Sequence, residues 1–285
     1  MGEAGKYNFI TLENFGGFSA KLLKFLRDNY HHDLDGLVAR KDYPEVAFTM
    51  EYLEWFFLFG GFLGVLLYND EWAGIVVCSR KKMVFNHKIE EVFITGPVCV
   101  KPKFRSIRNI RRLIKEFGDT INTKYGLVAT AAGVTDMPFR KPPMYTVYRN
   151  FKVGICTDIE PPKEKIFSNS NFHLLDTNDS FLDRHEEDDG WVLCQPQKVN
   201  FKGKTWSRGV IVSYFTQGSW NDLVYKATKK TFLKKYDEVM LVENYERTFG
   251  SMKKMGFSQS YLYSLYFYSS KPVYDHYLYY NIFAF

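Results

Sequence analysis

The chain has 285 residues, of which 46% are hydrophobic, 25% charged and 18% aromatic. This balance is typical of a folded globular protein and excludes a disordered tail or a low-complexity fibre. The formal net charge is +6, but residues 101–115 contain seven basic residues and no acidic one, so subtracting that +7 leaves −1 for the rest of the chain. One cationic stretch in a near-neutral protein indicates a local anionic partner, not a general nucleic-acid coat.

The cysteines and the apolar runs indicate the cellular compartment of the protein and its relation to membranes. The four cysteines are far apart in the chain and form no CxxC pair, which argues against a zinc ribbon and fits a reducing, cytoplasmic compartment. The longest apolar run, 55–68, has 14 residues, whereas a membrane-spanning helix needs about 20. The first nine residues lack the pattern of an export signal. We therefore expect no stable membrane insertion.

The hydrophobic pattern predicts alternating helices and strands. In chain order, these are helices over 22–30 and 49–57, strands over 62–68 and 73–78 joined by an Asn69-Asp70 hairpin turn, a strand over 91–100, a helix from Ser106 and a strand over 127–132. After a polar middle segment, the predicted elements are a strand over 209–215, a helix with an apolar face from Trp220 to Ala227, a strand over 238–242, a helix over 248–255 and a strand over 261–268.

The middle segment, 158–190, divides the chain. It contains Pro161-Pro162 and an acidic cluster, His185–Asp189, which is typical of a linker or a surface excursion. The flanking parts, 1–157 and 191–285, follow the same plan of strands and helices, so we treat internal duplication as a hypothesis. The alternation predicts an α+β (α/β) sheet protein.

The segment 93–114 carries the most specific chemistry. A strand runs into the basic turn 101–106, and a helix opens at Ser106, a good N-cap residue. Free backbone N–H groups, the positive end of the helix dipole and the side chains of Arg105 and Arg108 would then point to one place. That combination suits a bound phosphate. The alternative interpretation is a solvated basic helix face.

Other motifs are weaker. Gly203-Lys204-Thr205 resembles the end of a P-loop, but Lys198 stands where the first glycine should be. The clusters 31–35 and 185–189 lack a defined metal-ligand spacing, so we predict solvated loops there and no metal. Tyr261, Tyr263 and Tyr266 could stack bases, but in a chain this rich in aromatic residues they are more typical of a core.

The segment Cys99-Val100, Lys101–Phe104, Arg105-Ser106-Ile107-Arg108 resembles the acyl-CoA site of the eukaryotic N-myristoyltransferases. Further motifs follow in the family's order over about residues 20–285, and they are 29–33, 130–134, 212–215, 242–244 and 255–257. The chain is shorter than family members. The resemblance implies two tandem acyl-CoA N-acyltransferase-like halves that form one continuous, saddle-shaped mixed sheet flanked by helices, with the acyl-CoA site in 1–157 and the peptide site in 191–285.

The resemblance also implies roles for individual residues. The CoA moiety would be held by a consecutive run of residues, namely Lys103, Phe104, Arg105, Ser106, Ile107, Arg108 and Asn109. Backbone amides around Pro97 and Val98 would lie where the family polarises the thioester carbonyl. The acceptor peptide would lie near Tyr30, Asp33, Asp35, Thr130 and Gly133. The C-terminal carboxylate of Phe285 would receive a proton from the acceptor amine.

The function implied is transfer of myristoyl from myristoyl-CoA to the N-terminal glycine of a protein, by a monomer without a prosthetic group, a covalent enzyme intermediate or a nucleic-acid partner. One position departs from the family, because Pro97 has no N–H to donate. Two alternatives therefore stay open. They are an acyl-CoA N-acyltransferase with another chain length or acceptor, and a non-catalytic binder of acyl-CoA or peptide.

Overall fold

The computed structural model of the protein describes residues 6–30, 45–58, 60–85, 88–124, 128–132, 146–167, 181–201, 203–242 and 248–268. The strands are β1 Tyr7–Leu12, β2 Glu45–Val46, β3 Gly61–Tyr68, β4 Glu71–Phe85, β5 Lys88–Val100, β6 Val128–Ala132, β7 Thr146–Cys156, β8 Asp183–Glu187, β9 Gly190–Phe201, β10 Lys204–Thr216, β11 Glu238–Val242 and β12 Ser258–Tyr268. The α-helices are α1 Phe15–Asn29, α2 Met50–Phe56, α3 Ile107–Lys124, α4 Trp220–Ala227, α5 Leu233–Lys235 and α6 Phe249–Lys254. A 3-10 turn at Pro102–Phe104 precedes α3, and a π-helical turn at Thr228–Phe232 joins α4 to α5.

The twelve described strands form one mixed sheet in the order β1-β3-β4-β5-β6-β12-β7-β11-β10-β9-β2, with β8 also paired to β9. Only β5–β6 and β10–β11 are parallel among these pairs. The run β3-β4-β5-β6 is matched by β8-β9-β10-β11, and each run pairs with the last strand of the other half, since β12 joins β6 and β7 joins β11. This order supports the hypothesis of two similar halves.

The predicted mixed α/β architecture is confirmed, while the saddle shape and the boundaries of the halves stay predictions. The hairpin between β3 and β4 is also confirmed. Asn69 and Asp70 have φ angles of 46° and 64°. A two-residue turn with both φ angles positive matches the right-handed twist of the strands, and Asn and Asp tolerate that conformation.

Helices cover both faces of the first half of the sheet. On one face, α1 and α2 bury a largely aromatic cluster against β3–β5, with Leu22, Leu53 and Phe56 at its centre. On the other face, α3 buries Leu113 and Phe117 against β3–β5. In the second half, α4 and α6 pack Trp220 and their other apolar residues onto the sheet in a third cluster.

The helix α1 begins at Phe15, earlier than predicted, because Gly16 and Gly17 in its first turn hide the helical pattern. The helix α2 begins where expected, and its N-cap Thr49 accepts a hydrogen bond from the N–H of Tyr52 over 3.1 Å. Among the described residues, no helix is long and apolar enough to cross a membrane.

The prediction of a solvated loop at His185–Asp189 is wrong for residues 185–187, which belong to β8. The His185 ring is buried between the Thr231 hydroxyl, 2.7 Å from Nδ1, and Glu187 Oε1, 3.0 Å from Nε2. Glu187 also pairs with Lys230 at 2.7 Å. These partners form hydrogen bonds and an ion pair with polar groups that burial removes from water. The local sequence does not reveal these partners.

Leu113→Ala tests how firmly α3 is anchored to the sheet. Leu113 is fully buried, so the cavity should lower the free energy of unfolding by about 2–5 kcal/mol. The matched control is Arg111→Ala on the exposed side of α3, which should change it by less than about 0.5 kcal/mol. Urea unfolding followed by circular dichroism measures both, and equal losses would contradict the packing described here.

Candidate active site

A bulge interrupts β5 at the predicted catalytic position. Val76 pairs with Val98 and Cys78 pairs with Thr95, so Val77 alone faces both Gly96 and Pro97. The extra residue is what allows a proline here, because a proline inside a regular ladder would leave a hydrogen bond unmade. The directions of the side chains confirm this one-residue shift in the register of β5. Phe93 and Val100 are seven positions apart, yet both face α3, whereas strict alternation would place them on opposite faces.

Beyond the bulge, the backbone N–H of Val98 is directed away from β4. The N–H of Lys101 donates to the carbonyl of Ala73 over 2.9 Å. In an antiparallel ladder successive residues alternate, so Cys99 also faces β4 while Val98 and Val100 present their polar groups to the opposite edge. A contact confirms this direction, because the Val100 carbonyl accepts a hydrogen bond from Arg105 Nε over 3.0 Å.

Among the described residues, that edge of β5 has no strand beside it after residue 95. The parallel pairing of β5 with β6 covers Phe93–Thr95 and Val128–Thr130 only. Further along, β6 continues its pairing with β12 at Ala131 and Ala132. The two parallel strands therefore separate at the bulge. Consistent with an open gap, the Val98 side chain is 40% exposed although the next two residues are 4% and 5% exposed.

The predicted phosphate turn follows directly. The 3-10 turn ends at Phe104, and Ser106 caps α3 by accepting from the N–H of Asn109 over 3.1 Å through its hydroxyl and from Ile110 over 3.0 Å through its carbonyl. Within the described part of the chain, this leaves the N–H groups of Ile107 and Arg108 without a partner. Free N–H groups at the positive end of an 18-residue helix favour an anion.

The three predicted cationic ligands differ in availability. Arg105 holds the fold together, since its terminal nitrogen also donates to the Asn29 carbonyl over 2.7 Å. Lys103 pairs with Glu71 at 2.6 Å, and Lys101 shares that carboxylate at 2.8 Å. Hydrogen bonds from Lys101 and Lys103 lower the pKa of Glu71. Arg108 is exposed and makes no hydrogen bond or ion pair with other described residues, so it is the cation best able to meet a ligand.

The remaining predicted CoA residues have mixed positions. Ile107 is 46% exposed in the first turn of α3. Phe104 packs against Tyr68, with ring centroids 5.2 Å apart. The Asn109 side chain donates to the Phe104 carbonyl over 2.7 Å and to the Tyr7 hydroxyl over 2.8 Å. Asn109 therefore stabilises the turn through hydrogen bonds inside the protein.

Two of the predicted acceptor-side residues can be placed. Tyr30 follows Asn29 at the end of α1, and its ring meets Phe48 edge-on at 5.0 Å. The hydrogen bond from Arg105 to Asn29 brings Tyr30 next to the phosphate turn. Thr130 pairs with Thr95 one residue before the bulge. Asp33, Asp35, Gly133 and Phe285 lie outside the described residues, and their roles stay predictions.

The second half offers an internal comparison, because α4 follows β10 as α3 follows β5. There, the N–H of Trp220 donates to the Ile166 carbonyl over 3.0 Å, and the Asn221 side chain binds the Glu164 carbonyl over 2.6 Å. The first turn of α4 also contains Asp222. The segment before β8 thus covers this helix end, and an acid lies in its first turn, so the features that favour an anion at the start of α3 are not repeated here.

Cys99 is no nucleophile in this site. Burial raises the pKa of its thiol to about 12, so the reactive thiolate is scarce at neutral pH. Within the described part of the chain, no group of three or more His, Cys, Asp or Glu side chains could hold a metal ion. The gap and the phosphate turn therefore offer backbone N–H groups and cationic side chains, and the Cys99 thiol is too poorly ionised to serve as the nucleophile.

Comparison with known structures identifies the architecture. Yeast (Saccharomyces cerevisiae) N-myristoyltransferase with bound myristoyl-CoA superposes with a TM-score of 0.62 at 11% sequence identity, over 94% of this chain and 84% of the yeast chain. A GCN5-related N-acetyltransferase from Anabaena variabilis superposes with a TM-score of 0.51 at 9% identity, over 91% and 72% of the two chains. The chain has the acyl-CoA N-acyltransferase fold. No protein-family model matches the sequence, and no curated protein matches it.

Sequence reasoning missed three residues that shape this site. Asn29 and Glu71 hold the cationic side chains of the turn, and Phe56 packs on the bulge. Asn29 and Glu71 lie 76 and 32 positions from Arg105 and Lys103, respectively. Only Glu71 had a local signal in the sequence. This acidic residue begins β4, and β4 pairs with β5, the strand that runs into the basic turn.

A charge-matched pair of variants separates the structural arginine from the exposed one. Arg105→Ala removes hydrogen bonds to the Val100 and Asn29 carbonyls, which should lower the free energy of unfolding by about 1.5–3 kcal/mol. Arg108→Ala removes the same charge from the same turn and should leave the free energy of unfolding nearly unchanged. Urea unfolding measures both variants. An Arg108→Ala loss as large as that of Arg105→Ala would contradict these assignments.

Proposed function

We propose that this protein is an acyl-CoA-dependent N-acyltransferase that transfers a myristoyl group from myristoyl-CoA to the N-terminal glycine of a peptide or protein. The observation that carries the proposal is the open edge of β5. There the Val98 N–H is directed into a gap that begins beside Thr130 and lies next to the first turn of α3. The myristoyl-CoA bound by the yeast protein of the same fold supports this choice of donor.

In this proposal the CoA phosphates bind at the phosphate turn. The free N–H groups of Ile107 and Arg108 and the side chain of Arg108 would hold them, with Lys103 able to leave Glu71 and assist. The pantetheine arm would lie along the open edge of β5, where Val98 and Val100 offer strand-like hydrogen bonds. The thioester carbonyl would then accept a hydrogen bond from the Val98 N–H.

The chemistry requires two further contributions. The acceptor amine must lose a proton before it attacks the thioester carbonyl carbon, and the predicted proton acceptor is the carboxylate of Phe285. Attack forms the new C–N bond and places negative charge on the carbonyl oxygen, which the Val98 N–H stabilises. Collapse of that intermediate breaks the C–S bond, and the second proton of the amine nitrogen passes to the departing sulfur, which leaves as the CoA thiol. The acceptor peptide would approach from the side of Tyr30.

The direct test is mass spectrometry of a glycine-starting peptide incubated with the protein and a mixture of acetyl-, lauroyl-, myristoyl- and palmitoyl-CoA. The proposal predicts a mass gain of one myristoyl group on the N-terminal glycine. A gain from another acyl group would replace the myristoyl assignment by another chain length within the same fold. No product, with no acyl-CoA bound in a parallel titration, would contradict an acyltransferase.

Glu71→Gln should strengthen CoA binding. The variant removes a negative charge that occupies Lys101 and Lys103 beside the phosphate turn, so both ammonium groups can face a phosphate and the affinity should rise by about threefold. The control is Asp119→Asn, which removes the same charge from the distant end of α3, where Asp119 pairs with Lys115. Calorimetric titration with CoA compares them, and weaker binding by Glu71→Gln would exclude phosphates from this turn.

Pro97→Ala tests whether the missing N–H limits turnover. If position 97 faces the carbonyl oxygen, as the resemblance to N-myristoyltransferases implies, an added donor should raise kcat by up to about 100-fold at unchanged myristoyl-CoA affinity. Pro97 also supports the second candidate function, a binder of acyl-CoA without turnover. A wild-type protein that binds acyl-CoA without product, and a Pro97→Ala variant that gains turnover, would establish that alternative. An unchanged kcat would remove position 97 from the oxyanion site.

A further inference from the structure

The ring of Phe56 fills the space beside the bulge in β5. Gly96 lacks a side chain, and a Cβ placed on it would lie 2.6 Å from Phe56 Cζ, 3.1 Å from Cε2 and 3.4 Å from Cε1. These are the three nearest atoms, so the tip of this one ring stands where the Gly96 side chain would be. Gly96 is two residues before Val98, so the ring adjoins the part of β5 that carries the proposed oxyanion donor.

Phe56 is held firmly in that position. It is 2% exposed at the last residue of α2. The Ser79 hydroxyl, itself fully buried on β4, donates to the Phe56 carbonyl. The ring stacks on Tyr52, with centroids 6.2 Å apart and planes 22° apart, and meets Phe57 edge-on at 5.4 Å. A ring fixed on several sides acts as a wall, because its displacement would disturb each of these contacts.

A continuous aromatic path joins this wall to the acceptor side. From Tyr30 the ring contacts run to Phe48 at 5.0 Å, from Phe48 to Tyr52 at 5.6 Å, and from Tyr52 to Phe56. These residues belong to the apolar cluster under α1 and α2, which also contains Cys99. The phosphate turn begins α3 on the opposite face. The apolar surface that adjoins the bulge on the acceptor side is therefore formed by aromatic rings. Of the rings in this path, Phe56 is the one that contacts β5 at Gly96.

We infer that Phe56 sets the acyl-chain preference of the site by closing the space beside Gly96. The inference rests on the proposed function, because it assumes that the acyl carbonyl lies at Val98. An acyl chain leaving that carbonyl toward the acceptor-side face meets the Phe56 ring, which limits its length and bulk. The small residue on the strand and the large ring on the helix form one complementary pair.

The test compares Phe56→Ala with Phe57→Ala. Both remove a buried phenyl ring from the same helix end, but only the first opens space at Gly96. The readout is the ratio of association constants for stearoyl-CoA and myristoyl-CoA, measured by calorimetric titration, because a general loss of folded protein cancels in a ratio. Phe56→Ala should raise the ratio about 10-fold, and Phe57→Ala should leave it within about twofold of the wild type.

A size swap makes the pair itself testable. Gly96→Ala should lower the affinity for long acyl chains, since the new methyl group pushes against the Phe56 ring. Adding Phe56→Leu should restore it, because the leucine leaves room for the methyl group. The interaction between the two substitutions should therefore be non-additive, as expected of residues in contact. A double variant that binds long acyl chains as weakly as Gly96→Ala alone would overturn the inference.

The outcomes separate this inference from the proposed function. If the wild-type protein binds neither acyl-CoA, the proposed function fails. If it binds them and the stearoyl-to-myristoyl ratio is unchanged in Phe56→Ala, or moves equally in Phe57→Ala, the proposed function stands and the role of Phe56 is wrong.

Discussion

The structure depends on one irregularity, the bulge that places Gly96 and Pro97 opposite Val77. The extra residue reverses which side chains face α3, accommodates a proline inside a central strand and coincides with the point where β5 and β6 separate. The Val98 N–H is consequently a donor without a strand partner in the described part of the chain, at the rim of a gap. In a regular ladder the same amide would be consumed by the sheet, and the site would have no polar group for a carbonyl oxygen.

The cations around this gap have two different tasks. Arg105 ties three parts of the chain together, since it joins the end of β5 to the end of α1 from the turn before α3. Its guanidinium suits that task because a planar fork can serve two carbonyls at once. Arg108 extends from the first turn of α3 without a described partner. The corresponding helix end in the second half is covered by residues 164–166, so the two helix ends differ in how accessible they are to a ligand.

Much of this arrangement could be predicted from the sequence, and the failures have physical causes. The helix N-terminus at Ser106 and the Asn69-Asp70 turn are local features, set by capping and turn chemistry within a few residues. Strands β7 and β9 went unpredicted. In β9, Gln195, Pro196 and Gln197 disrupt the apolar pattern, and the burial of the two glutamines depends on neighbours far away in the chain. Similarly, contacts between distant residues determine the roles of Glu71, Asn29 and Phe56, and no local spacing reveals them.

The central claim is that acyl-CoA lies along the open edge of β5, with its phosphates at the start of α3. Hydrogen–deuterium exchange of the full chain, resolved to single amides, with and without myristoyl-CoA, tests it most directly. We predict slower exchange at Val98, Val100, Ile107 and Arg108 when myristoyl-CoA is added, and no change at Trp220 and Asn221 in the first turn of α4. Unchanged exchange at Val98 in a protein that binds myristoyl-CoA, or protection centred on α4, would contradict the claim.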